Sequence, residues 1–239
     1  MKLVLPLLVA AALATAAGTA GSSQREHFLV TIGVQGTAAD PNQSAEDTNE
    51  RPIMGQRKNV ALVTGIFGAA LGLLFGLAAG VGTGRGAVPA AGVGLVLGVL
   101  AGAAGGFLSH LAFEQIQNVT QEPVAVAPVT HLSLWLPLCL AVAIAVSLTA
   151  PKGRLGSLLG SAALAALIAA ALFPVAAALA LPMRESDRPL PEGYETIGLW
   201  FGIVSVSLAV LLGRALRPTA VVAVSAAAPA TPPAPATGV

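Results

Sequence analysis

Charge is scarce in this chain. Only 10% of its 239 residues are Asp, Glu, Lys or Arg, where a water-soluble domain carries about 25% to cover its surface. Most of the outer surface must therefore face something other than water. With 55% hydrophobic residues and a mean hydropathy of +0.81, that something is lipid. The formal net charge of +1 excludes the broad basic field that holds nucleic acid. Cys139 is the single cysteine, so an intramolecular disulfide and a CxxC metal or redox motif are both excluded. Walker, Rossmann, GxSxG and HExxH patterns are all missing. Nine Arg against three Lys, with Ala, Gly, Val and Leu dominant, point to a GC-rich bacterial genome. In that setting the sequons Asn42-Gln43-Ser44 and Asn118-Val119-Thr120 carry little meaning.

What is present is long apolar sequence. Residues 1–20 carry the marks of a secretory signal: Lys2 ahead of an apolar core, then small residues Gly18 and Ala20 around a cleavage site. The same stretch, left uncleaved, would be a first membrane helix, although it is short for a hydrocarbon core of about 30 Å. Residues 21–59 are polar and read as a flexible extracytoplasmic arm, with one short strand expected over residues 27–34. Five apolar stretches follow, at residues 60–81, 88–113, 132–150, 155–181 and 197–216. Each is long enough to span, and none has a charged residue in its middle. A soluble core helix would show a polar face at helical period, and these show none. After residue 217 a Pro/Ala-rich tail is expected to be disordered. The predicted fold is an all-α polytopic transmembrane bundle: five helices after a signal peptide, six if it stays.

Charge suggests an orientation. If the arm is exported, all eleven acids lie outside: Glu26, Asp40, Glu46, Asp47, Glu50, Glu114, Glu122, Glu185, Asp187, Glu192 and Glu195. The other side holds Arg85, Lys152, Arg154, Arg214 and Arg217 without an acid, and its two joints are short and basic. This predicts a multi-pass protein of the bacterial plasma membrane with its arm outside and its tail cytoplasmic. Trp135, Tyr194 and Trp200 are expected at the outer interface, where amphipathic rings settle.

Two runs of glycine share one spacing. Gly68, Gly72, Gly76, Gly80 and Gly84 fall four apart, and so do Gly94, Gly98, Gly102 and Gly106. Residues four apart lie on one face of a helix, so each run makes a groove without side chains. Lipid offers little hydrophobic drive for helices to associate, and close backbone contact supplies the attraction instead. This hairpin resembles the glycine-zipper hairpins of small bacterial membrane and envelope proteins. The resemblance implies tight helix packing and self-assembly, and it implies no activity. Gly156 and Gly160 repeat the spacing once, and Pro174 is expected to bend its helix.

Proton relays and ion-coupled transporters keep ionisable groups at mid-depth, and these helices have none. No cofactor is implied. His110, Glu114 and His131 are the only candidate metal ligands, with His110 and Glu114 one helical turn apart. Glu185, Asp187, Glu192 and Glu195 read as a solvated loop rather than an acid–base pair. The sequence thus favours a non-catalytic membrane protein that assembles with itself or a membrane-protein partner. A small-solute channel or permease is the alternative, and a membrane enzyme using the outer-face His and acidic residues stands third.

Overall fold

Lipid cannot hydrogen-bond to a bare backbone, so a chain this apolar must close its amide bonds within each segment. In the computed structural model, which describes residues 3–28, 45–120, 122–182 and 184–217, every regular element is helical. Six helices run in chain order: α1 (Val4–Gly21), α2 (Ala45–Thr83), α3 (Ala87–Gln117), α4 (Pro123–Ser147), α5 (Leu155–Ala180) and α6 (Tyr194–Ala215). All six are long and apolar enough to cross a membrane.

The first of them is the stretch expected to leave as a signal. It forms α1, and a single 3-10 turn at Ser22–Gln24 continues it. Two other boundaries also differ from expectation. Helix α2 begins at Ala45, inside the expected flexible arm, and Arg57 and Asn59 farther along it find partners in Glu114 and the Phe28 N–H. Helix α4 begins at Pro123, well before residue 132, since proline suits the first turn of a helix, where its missing N–H is not needed. The expected strand lies outside the described residues from position 29 onward. So do Asp40, Asn42 and the tail beyond Arg217.

Alternation governs the packing. Helices α2, α4 and α6 bury more than half of their most apolar windows, whereas α1 and α3 bury under a third. The three inner helices meet around a common axis, and each outer helix seats between two of them: α1 against α2 and α6, α3 against α2 and α4, α5 against α4 and α6. The ring closes where α1 meets α6.

Aromatic rings fill its middle. Phe67 stacks on Phe201 at 3.9 Å between centroids, Trp135 lies 4.6 Å from Trp200, and Phe173 sits beside His131 at 5.0 Å. Trp135 and Trp200 are fully buried and pack against each other inside the bundle. Tyr194 remains 59% exposed.

Glycine sets how closely the helices approach. Gly68, Gly72 and Gly76 of α2 face Gly98, Gly94 and Ala90 of α3, with the carbonyl of one helix occupying the space a Cβ of the other would need. Thr64 Oγ1 lies 2.7 Å from Val60 O and 2.8 Å from Gly102 O, sharing its proton across the same seam. Gly84 follows the spacing but leaves the seam. Its φ of +70° ends α2, and the Arg85 N–H donates back to Gly80 O at 3.0 Å. Gly156 and Gly160 have nothing within 4 Å of an added Cβ.

A second set of glycines seats α1. A Cβ on Gly18 would stand 2.5 Å from Phe67 Cδ2 and 2.8 Å from Phe201 Cδ2. Along α6, Gly198 faces Thr19, Gly202 faces Thr15, and Gly213 faces Val4 and Leu7. Gly198 and Gly202 are four apart, a spacing the sequence reading did not single out. Gly18 was hidden because its small neighbours read as a cleavage site.

Candidate functional site

The two ends of the bundle differ in chemistry. One end is made of the short turns before α3 and α5, with Arg85, Lys152 and Arg154. There Arg154 donates from Nη1 to Ala215 O at 3.0 Å, placing a cation at the negative end of α6. At the other end Arg25 and Glu26, Gln56, Asn59 and Val60 of α2, the end of α3, the start of α4 and the α5–α6 loop converge on a cavity of about 970 Å³. Glu26, Glu114, Glu122, Glu185, Asp187, Glu192 and Glu195 belong to segments at this end.

On its α3 side the cavity meets a three-residue cluster. Arg57 donates from Nε to Glu114 Oε1 at 3.3 Å, and its Nη2 bonds Glu114 Oε2. His110 Nδ1 lies 2.9 Å from Glu114 Oε1, off the line of a good hydrogen bond. Arg57 also lies over the Phe107 ring, 5.9 Å from its centroid. Because Arg57 and Glu114 keep only 20% and 27% side-chain exposure, the pair is shielded from salt more than a surface pair would be.

His131 plays a different part. It is fully buried, its Nε2 stands 2.8 Å from Ser186 O, and Trp200 Nε1–H donates to its Nδ1 at 3.2 Å. The Nε2–H tautomer satisfies both partners at once. His131 thus ties the α5–α6 loop to the aromatic core. The structure brings His110 and Glu114 together but leaves His131 no free nitrogen to join them. Among the described residues, no three His, Cys, Asp or Glu side chains gather as metal ligands. Cys139 is buried in the core and touches none of this.

The rest of the wall is mostly paired. Arg188 is bracketed by Glu185 and by Glu192, with Nη1 to Oε1 at 2.8 Å, and Arg25 stands 3.5 Å from Glu26. Asn59 is 2% exposed; its Oδ1 accepts the Phe28 N–H at 2.8 Å, and its Nδ2 has no partner. Of this wall, His110 and the acids Glu185, Asp187 and Glu192 were visible in the sequence as weak candidates, but not their assembly, because its parts come from five separate segments. The Arg57–Glu114 pair, 57 residues apart, gave no sequence signal at all. No family model matches this chain, and no curated protein or solved structure is similar to it.

Proposed function

We propose that this is a non-catalytic multi-pass protein of a bacterial plasma membrane, a helical scaffold that engages its partner at the acidic end. The filled centre carries the reading. Phe67, Trp135, Trp200 and Phe201 occupy the axis with no exposed surface, so the helices enclose side chains rather than a path for solute. The α2 and α3 glycines face each other, which turns the zipper toward the chain's own fold and away from a second copy. What remains for recognition is the polar end.

Orientation follows from the basic turns, which favour the cytoplasm, so the acidic end faces outward. In this reading α1 remains with the mature chain as its sixth helix. Cysteine labelling with an impermeant reagent tests the orientation, after Cys139 is replaced. Ser44→Cys should label in intact cells and Thr231→Cys should not; the reverse pattern inverts the topology.

The scaffold reading is tested by solute flux. Proteoliposomes holding the purified chain should release small neutral and ionic solutes no faster than protein-free vesicles. Saturable release above that background would replace the scaffold with the channel or permease alternative.

A further inference from the structure

We propose that the cavity at the acidic end binds a zwitterion, a group carrying one cationic and one anionic centre, supplied by a small peptide or by a phospholipid headgroup. The inference deepens the reading of this end as the recognition surface and rests on it.

Charge balance comes first. Three guanidiniums and four carboxylates line the cavity. A wall so nearly neutral gives no net field to attract a polyanion or a polycation. Its charges are also unequal in availability. The other ionic side chains of the wall stand in ion pairs with one another, whereas Arg184 and Asp187 have no ion-pair partner among the described residues. One charge of each sign without an ion pair among the described residues, three residues apart on the same loop, is the complement of a dipolar ligand. Arg184 offers the planar fork that suits a carboxylate or phosphate, and Asp187 accepts from an ammonium.

The surroundings fit such a guest. A volume of about 970 Å³ holds a tripeptide or a headgroup with its glycerol. Asn59 adds an unspent amide donor in the cavity wall, which burial makes costly unless something accepts from it. The loop is not a loose surface strand, since Ser186 between the two charges is held by His131. Binding energy is therefore not lost to ordering the loop. That link also runs through His131 to Trp200, so occupancy should register in tryptophan emission.

The test uses the full chain in phosphatidylglycerol nanodiscs, which present no zwitterionic headgroup. Trialanine and glycerophosphoethanolamine are titrated against tryptophan emission, with citrate and spermidine as singly signed controls. At least one zwitterion should saturate while both controls do not. Arg184→Gln or Asp187→Asn should weaken that binding roughly tenfold, the loss of one charge-assisted contact. The exchanged pair Arg184→Asp with Asp187→Arg should recover most of it. Circular dichroism establishes that each variant is folded. Repeating the titration in phosphatidylethanolamine nanodiscs identifies the source: competition by the bilayer marks a headgroup site, and unchanged trialanine binding marks a peptide site. The proposal is overturned if no zwitterion saturates, if citrate or spermidine binds as well, or if folded single variants titrate like the parent. Solute flux would end the scaffold reading without touching this result, and a failed titration would leave the scaffold standing.

Discussion

A methyl group added at Gly72 would fall on the Gly94 carbonyl, whereas at Gly160 nothing lies within 4 Å. Both glycines are helical, so alanine gains each position about 0.5–1 kcal/mol of helix propensity. Only at Gly72 must that gain offset overpacking of about 1–3 kcal/mol. Gly72→Ala should therefore lower the Tm in detergent, and Gly160→Ala should leave it level or raise it. Equal shifts would mean that the spacing reflects composition and not contact. Gly76→Leu is a harsher version, since its Cβ meets the Ala90 and Ala91 backbone. The α2 and α3 runs were legible because a period of four maps directly onto one helix face. Gly84 obeys the same period yet serves as a turn, since spacing does not say where a helix stops. Gly18 escaped notice because its packing partners, Phe67 and Phe201, lie on two helices far away in sequence.

Among the elements, α4 starts well before its sequence reading. Three prolines mark it, at Pro123, Pro128 and Pro137, and prolines in a sequence suggest breaks. One opens the helix, and the other two lie half-buried within it without ending it. The early start places His131 more than two turns inside the helix, deep enough to reach Trp200 and the loop together. Replacing His131 with Phe keeps the ring and removes both polar contacts. The Ser186 carbonyl and the Trp200 N–H are then stranded, at about 1–3 kcal/mol each if no water reaches them. The expected outcome is a loosened α5–α6 loop, read as faster trypsin cleavage after Arg184 at unchanged helicity. Cleavage at the parent rate would show that the loop is held by other contacts. Candidate ligands at i, i+4 were visible in the sequence; that His131 serves the loop was not, because its partner is a backbone carbonyl.

For the whole molecule, the decisive question is whether α1 belongs to it. A signal core and a short membrane helix obey the same chemistry, so residues 4–21 could be read either way. In the structure Leu7, Ala10, Ala11, Ala14 and Gly18 are buried against α2 and α6, as a retained helix requires. The helix also runs through Ala20 to Gly21, and the next residue, Ser22, is fully buried, so the bond after Ala20 is not displayed in extended form. Mass spectrometry of the membrane-extracted protein should find the residues of α1 still attached. A mature terminus at Gly21 would remove α1 from the bundle. Deleting residues 3–21 should lower the Tm, since Phe67 and Phe201 lose the helix that covers them; an unchanged Tm would show α1 to be dispensable. Six helices, all-helical architecture and a membrane setting were close to readable from hydropathy. The inner triangle was not, because no helix has a polar face to mark its inside.

Closure of the ring through α1 and α6 has a consequence for biogenesis. Synthesis makes the first helix long before the last, while the α2–α3 hairpin needs only its own short turn and can form at once. The seat of α1 is incomplete until Gly198, Gly202 and Gly213 arrive. In water an apolar helix waiting that long would aggregate, but in lipid it bears no such penalty and can drift beside the growing chain. Assembly is then ordered by sequence distance, local hairpin first and ring last. The final residues of α6 act as a late checkpoint: a chain truncated before them is membrane-inserted, helical and open along one side.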